Sequence, residues 1–403
     1  MPRYSLKSIV FYAVTIAPLC LLACLVCEVS WNLYRAGHPD YARIYNELEA
    51  CLKSDKGEFS LASGEGRLKI AYDYRVAGGP YKPKNVDVPF APGPEDYVVY
   101  LYGSSAVVAR LPFVSADTLF SNILQAKLNS SPGRRVRVYN FGAVSFDSFD
   151  IRGLMKCTVT HRRPDLMIYY EGHMDYMGAY ITAIRKNFRL LRGGWFGGLL
   201  GLSVLNRYDQ WRHFAEVGDW LVYSSLEPRL MNFLQRLGVI QLDPAPFAEY
   251  DRVILSYYEK NVLDMAAFAA QRGIPIIFIT PIDNMEAKPY GIPTVTQKNF
   301  ELGLKETDYR RRMEYLAKAV DSEIFTADMR AKSGLNAFLR SLKQEGVYVL
   351  DLEGRLRQEK FAFDYDYFYD VSHIRPRLHK IIAEHLYDFM TAHGLTTRRK
   401  SCR

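Results

Sequence analysis

The sequence predicts an α/β fold in which a mostly parallel sheet is covered by helices on both faces. Two observations carry that expectation. Apolar, β-forming runs alternate with helical patterns from about residue 97 onward, and the chemically reactive residues fall just past the C-terminal ends of those runs. The composition agrees: a chain of 403 residues, 49% hydrophobic and 24% charged, is long enough to bury a large core and too apolar to be disordered as a whole.

The first run, Tyr97-Val98-Val99-Tyr100-Leu101-Tyr102, is apolar and leads straight into Gly103, as a strand buried on both faces does. A helix over 115–129 follows, with Leu119, Ile123, Leu124 and Leu128 on its apolar side. Val136 to Asn140 reads as a second strand, Ser148 to Val159 as a helix, and Leu166 to Tyr170 as a third strand ending at Glu171-Gly172. After a long middle segment, a helix around Val262 to Arg272 precedes a fourth strand, Pro275 to Thr280, closed by Pro281. A helix from just after Gly334 to about Gln344 precedes a fifth strand, Val347 to Asp351, and a last helix spans Pro376 to Ala392.

Residues 1–35 are of a different kind. Arg3 and Lys7 precede an uncharged, mostly apolar run from Ile9 to Cys27, which ends at Glu28. Its 19 residues suffice to cross a hydrocarbon layer as a helix, with Pro18 as a kink point. Basic residues before the run and an acid after it favour a cytoplasmic N-terminus with the body outside. A cleaved signal peptide, or lipoprotein processing at Leu21-Leu22-Ala23-Cys24, are competing readings that also place the body beyond a membrane, on the periplasmic or extracellular side.

Residues 36–94 read as a stalk and preface. They hold a helical pattern from Tyr41 to Leu52, a strand-like Leu68 to Tyr74, and Pro80, Pro83, Pro89, Pro92 and Pro94, whose density limits regular structure. Residues 95–395 form the body, with insertions at about 181–250 and 288–332, and 396–403 are a basic tail. Within the first insertion, the glycine-rich apolar stretch 193–202, including Trp195 and Phe196, is a candidate lid, acyl-chain pocket or membrane patch, with plain core packing as the alternative. The second insertion reads as helical scaffold.

The net charge of +8 is scattered. Its densest runs, Arg310-Arg311-Arg312 and Arg398-Arg399-Lys400, sit in a helical pattern and at the terminus, so no nucleic-acid partner is expected. No C-x-x-C accompanied by a second such pair appears among the six cysteines, which argues against a structural zinc site. A Cys51–Cys157 disulfide is chemically allowed outside the cytoplasm; a buried free Cys157 is the alternative.

The chemistry centres on Ser105. Serine is a poor nucleophile until a base removes its proton. Ser105 directly follows a strand and a Gly-x turn, and an Asp-x-x-His unit, Asp370-Val371-Ser372-His373, lies near the other end of the chain. Such a turn holds a hydroxyl at the mouth of a sheet, a distant histidine folds back as base, and the short spacing lets Asp370 face an imidazole nitrogen. Each residue alone has a structural explanation, as a turn former, a helix cap or a buried histidine. Ser104 is the alternative nucleophile.

These blocks resemble the SGNH/GDSL hydrolase superfamily over about residues 95–395, which implies a flavodoxin-like three-layer α/β/α sandwich. Gly103-Ser104-Ser105 resembles the first block, although the family usually has Asp where Ser104 stands. Asn140-Phe141-Gly142-Ala143-Val144-Ser145 resembles the second, with Ser145 in place of a glycine whose amide serves the oxyanion hole. Glu171-Gly172-His173-Met174-Asp175 resembles the third, but Met174 stands where the family has an asparagine that donates to the oxyanion. Loss of one such donor costs about 3 kcal/mol, so His173, Asn140 and Asn284 join Ser145 as candidate replacements, with Met174, Trp195 and Phe196 as substrate contacts. Asp370 and His373 match the last block, and Pro376 opens the helix that follows it.

The resemblance implies a serine esterase or O-acyltransferase that needs no metal or redox cofactor. By analogy with extracytoplasmic relatives it implies short O-acyl groups on a cell-envelope polysaccharide. A lipid or long-chain esterase is the nearest alternative. A catalytically inactive scaffold that binds envelope glycans or envelope proteins is the alternative from another class.

Overall fold

The computed structural model describes residues 40–53, 58–73, 84–108, 115–130, 135–144, 146–179, 245–289, 294–323 and 330–397, with isolated positions between 15 and 34 and at 237, 238 and 243. Five parallel strands form the central sheet: β4 (Tyr97–Gly103), β5 (Val136–Asn140), β6 (Leu166–Tyr170), β7 (Ile276–Ile279) and β8 (Val347–Leu350). Their order is β5-β4-β6-β7-β8. Counted from β4 this is 2-1-3-4-5, the flavodoxin-like doubly wound order, whose topological switch lies between the first and third strands. The ends of β4 and β6 flank that switch, and β4 leads to Ser105.

Alternation along the strands supplies both faces. Val98, Tyr100 and Tyr102 of β4 enter one core, while Tyr97, Val99 and Leu101 enter the other. The first core is closed by α3 (Ser148–His161), α5 (Ala245–Gln271) and α8 (Ser333–Ser341), through residues such as Leu154, Val262 and Leu335. The second is closed by α2 (Phe120–Leu128), α7 (Tyr309–Asp321), α9 (Leu352–Gln358) and α10 (Pro376–Ala392), through Leu124, Leu316, Leu356 and Leu386. Each such fully buried side chain contributes about 1.5–3 kcal/mol. β4, β6 and β7 are buried at every position, as central parallel strands must be.

Local signals explain several boundaries. Asp147 caps α3 by accepting from the amides of Phe149 and Asp150, filling donors that the first turn leaves open. Pro376 occupies the first turn of α10, where its missing N–H costs nothing. Two stretches depart from expectation. The helix read over 115–129 is divided into a 3-10 turn, Ala116–Thr118, and α2. The helix expected near Val262 extends back to Ala245, so the end of the first insertion belongs to a core helix. Its inward positions Phe247, Tyr250, Ile254 and Tyr258 keep helical spacing, but tyrosine weakens the apolar signal.

The preface is more ordered than its prolines suggest. α1 (Tyr41–Lys53) is followed by an antiparallel sheet of β1 (Glu58–Gly64), β2 (Arg67–Asp73) and β3 (Lys84–Pro89). Leu48, Ile70, Tyr72 and Val88 from this unit join the first core, so the segment packs on the body instead of standing off as a stalk. Pro89 sits at the end of β3, an edge strand, where proline disturbs the ladder least.

The second insertion contains α6 (Thr294–Lys305) and α7, in keeping with a helical scaffold. The glycine-rich stretch 193–202 lies outside the described residues, as does the basic tail from 398. Cys157 is half-buried and free, and burial pushes its thiol up; the side chain of Cys51 lies outside the described residues. Among the described residues no helix is long and apolar enough to cross a membrane. The apolar run 9–27 is described only in part, and Ile16, Leu19, Leu22 and Val26 within it are helical and exposed.

Candidate active site

Ser105 begins a 3-10 turn, Ser105–Val107, immediately beyond β4. The turn is tight for a reason visible at Gly103: a Cβ there would lie 2.6 Å from the Tyr170 carbonyl oxygen of β6, closer than real contacts allow. The pairing of β4 with β5 continues past the strand ends. Phe141 donates its amide to the Leu101 carbonyl and Ala143 to that of Gly103, laying the 141–143 segment against the nucleophile turn. Gly142 is pressed so close that a Cβ would lie 2.4 Å from Val107.

At the opposite end of the chain, a loop ahead of α10 brings Asp370 and His373 to the same place. His373 Nε2 lies 2.9 Å from Ser105 Oγ, and His373 Nδ1 lies 2.5 Å from Asp370 Oδ2. Asp370 Oδ1 accepts the amides of Ser372 at 2.8 Å and His373 at 2.6 Å, so one carboxylate shapes the loop and orients the ring. Asp370 is buried, whereas Ser105 and His373 are half-buried and reachable by substrate. An acid behind, a histidine between and a serine at the opening form the arrangement that generates an alkoxide-like nucleophile.

The imidazole reaches Ser105. Ser104 is buried and turned inward, its amide donating to Glu171 Oε2 at 3.1 Å. The side-chain donors expected at the oxyanion make bonds within the protein. Asn140 Nδ2 donates to the Val107 carbonyl at 2.5 Å and Ser121 Oγ at 3.3 Å. Asn284 Nδ2 donates to the Asp370 carbonyl at 3.1 Å. His173 is buried, with Nε2 3.2 Å from Asp283 Oδ1 and 3.3 Å from the Ile282 carbonyl. In these positions the three residues hold the site's walls: Asn140 has both N–H groups engaged, while Asn284 and His173 each tie one nitrogen to a neighbouring strand end or loop.

Met174 is buried in the first turn of α4 (His173–Ala179). Ser145, Trp195 and Phe196 lie outside the described residues. What the described turn does offer is backbone: its internal bonds begin with the Val107 amide, so the amides of Ser105 and Ala106 precede them, as at any helical N-terminus.

Glu171, quoted in the sequence only as part of a block, turns out to be central. It is fully buried at the end of β6, accepting from Ser104 and, through Oε1, from the Met174 amide at 2.8 Å. Burial alone would raise its carboxyl, but His173, the Ser104 side chain and the Met174 amide outweigh that and hold it below its usual range. The sequence signal was present: an acid at the end of an otherwise apolar, fully buried strand needs partners.

No family model matches the chain, and no curated protein matches it. Solved structures do. An alpha/beta hydrolase enzyme, LAE5, from the metagenome of Lake Arreo, Spain, is 15% identical, the match covering 75% of this chain and 96% of that one at a TM-score of 0.37. A lipase/acylhydrolase from Enterococcus faecalis is 12% identical, covering 75% and 99% at 0.33. Axe2, an acetylxylan esterase from Geobacillus stearothermophilus, is 13% identical, covering 73% and 94% at 0.32.

The chain resembles the SGNH/GDSL hydrolases. The likeness lies in the strand order and in the distances joining Ser105, His373 and Asp370, with a serine after the first sheet strand and an Asp-x-x-His before the last helix. The chain departs from that family's pattern at Met174, and the side-chain amides of Asn140 and Asn284 bond within the protein.

Proposed function

We propose that the protein is an SGNH-type serine acyl hydrolase or O-acyltransferase. The observation that carries this reading is the unbroken chain from Ser105 Oγ through His373 to Asp370, at 2.9 and 2.5 Å. In the reaction, Ser105 attacks an ester carbonyl while His373 accepts its proton, and the imidazolium is balanced by Asp370. Collapse of the tetrahedral adduct expels the alcohol, which takes the proton from His373. Water or a sugar hydroxyl then attacks the acyl-enzyme, with His373 again acting as base, and Ser105 is released. Backbone amides at the start of the turn supply oxyanion donors where the family uses an asparagine.

The substrate we favour is a short O-acyl ester on a cell-envelope polysaccharide, with the body held at a membrane outside the cytoplasm. The apolar side chains of Ile16, Leu19, Leu22 and Val26, exposed on helical backbone, support a membrane-facing N-terminal segment. The assembled Ser–His–Asp chain favours a working enzyme over an inactive binding scaffold.

The test is covalent labelling of detergent-solubilised protein with a fluorophosphonate, read by intact mass and peptide mapping. Label on Ser105 that disappears in Ser105→Ala is the expected result. Label on Ser104, or no label on folded protein, would overturn the assignment, and recovery of the protein only in the soluble fraction when cells are fractionated without detergent would remove the membrane tether.

A further inference from the structure

Below the candidate site lies a cluster of charges that the reaction steps do not use. Glu171, His173 and Asp283 are all buried, and each comes from a strand end: Glu171 and His173 follow β6, and Asp283 follows β7. His173 Nε2 is 3.2 Å from Asp283 Oδ1, and His173 Nδ1 is 3.7 Å from Glu171 Oε1. Burial disfavours charge on this imidazole, but the two carboxylates outweigh it and hold His173 protonated well above its ordinary range.

The two ends of this cluster touch different parts of the site. At one end Glu171 accepts the Ser104 amide, one residue before the nucleophile. At the other, Asp283 accepts the Ala331 amide through Oδ2 at 2.8 Å, and its neighbour Asn284 donates its backbone amide to the Val371 carbonyl at 2.9 Å and its side chain to the Asp370 carbonyl. The nucleophile turn and the acid–base loop, 268 residues apart in sequence at Ser105 and His373, are thereby braced against one buried set of charges.

We propose that Glu171, His173 and Asp283 form a positioning unit that sets the reactivity of Ser105 by fixing the nucleophile turn against the Asp370–His373 loop. The inference rests on the serine-nucleophile reading above and adds a second layer to it. Two carboxylates and an imidazole taken out of water together are costly to bury even when paired, which is hard to reconcile with simple filler, since apolar side chains would pack the same volume. The unit instead supplies a carboxylate with two acceptor oxygens at the one place where the Ser104 and Met174 amides both require one. A glutamine at 171 keeps the shape but has a single acceptor oxygen, so one amide loses its partner and the turn shifts.

The experiment compares wild type, Glu171→Gln and His173→Gln by the second-order rate of fluorophosphonate labelling, the final labelled fraction, and kcat and KM on a short-chain aryl ester. Tyr72→Phe, which removes a buried 2.6 Å bond from β2 to Asp150 of α3, serves as a folding control. Glu171→Gln is expected to label to the same final fraction about 10- to 100-fold more slowly, with kcat falling in step and KM within about twofold. His173→Gln is expected to move the same way and carries the test if Glu171→Gln fails to fold. A lower labelled fraction with an unchanged rate, as in a merely destabilised control, would overturn the proposal. Wild-type rates in both variants would overturn it too, while leaving Ser105 as nucleophile. Absence of label in wild type would instead remove the serine-nucleophile reading itself.

Discussion

Replacing Asp370 with asparagine separates the two tasks that this side chain performs. Its Oδ1 accepts the amides of Ser372 and His373 at 2.8 and 2.6 Å, and its Oδ2 meets His373 Nδ1 at 2.5 Å. Asparagine has one acceptor oxygen and one NH2 group. If the oxygen stays with the two loop amides, the NH2 group faces Nδ1 and can bond only to an unprotonated nitrogen. The ring's proton must then sit on Nε2, the nitrogen 2.9 Å from Ser105. That tautomer donates to the serine and cannot accept its proton. The reverse rotamer keeps the ring's tautomer but turns an NH2 group toward two amide donors, breaking two loop bonds to save one.

The first state is therefore favoured, and the cost falls on catalysis more than on folding. The wrong tautomer in a Ser–His–Asp unit lowers kcat by roughly 10³- to 10⁴-fold, or about 4–5.5 kcal/mol of transition-state stabilisation. Asp370→Asn should show that loss in kcat for a short-chain aryl ester at neutral pH, with KM little changed and a melting temperature close to wild type. Activity within about tenfold of wild type would refute the argument that Asp370 sets the His373 tautomer. Equal losses of activity and stability would refute the division of labour between its two oxygens.

His379, buried in α10 and stacked on Phe120, is pushed down to about 3 by burial. Its folded value lies below its unfolded one near 6.5, so acid protonates the unfolded chain first and stability is lost as pH falls from 6.5 towards 3. Between pH 7 and 4.5 this amounts to about 2.5 kcal/mol, and urea denaturation of His379→Gln, whose amide oxygen still accepts from the Phe120 N–H, should remove that part of the slope. Arg330 and Glu323 form an ion pair with both side chains almost wholly buried, and Arg330 also donates to the Asn284 and Ala287 carbonyls at 3.1 and 2.8 Å. Arg330→Met strands the Glu323 carboxylate and should cost about 3–5 kcal/mol in the same assay, with Arg330→Met/Glu323→Gln recovering part of the loss.

The central sheet was legible because its strands are unusually uniform. Runs such as 97–102 and 166–170 carry almost no polar residue, and helical spacing intervenes each time. The preface was harder. β1 and β3 pair by backbone with β2, and their exposed positions, Ser60 and Asp87 among them, blur the alternation that marks a half-buried strand. Ser105, Asp370 and His373 were readable together because a Gly-x-Ser after a strand and an Asp-x-x-His before a terminal helix are local patterns, even though the distance between them is not. The candidate oxyanion donors were less legible for a related reason. Asn140, Asn284 and His173 have the right chemistry at the right strand ends, but a single chain does not say which of its donors folding will consume.

That consumption points to how the site holds its shape with methionine at 174. Where an asparagine side chain would reach from the start of α4 into the oxyanion region, this chain places the Met174 amide on Glu171, and the same Glu171 takes the Ser104 amide. One buried carboxylate thus spans the turn that carries the nucleophile and the helix start that would have carried the donor. Asn140 works to a similar end on the other side: its oxygen accepts the Gly142 amide at 2.9 Å while its nitrogen holds the Val107 carbonyl, binding the second block to the same turn. Side chains at the strand ends are spent on fixing backbone, and in an SGNH-type reaction it is the backbone amides at Ser105 and Ala106 that this rigidity would hold toward the developing charge.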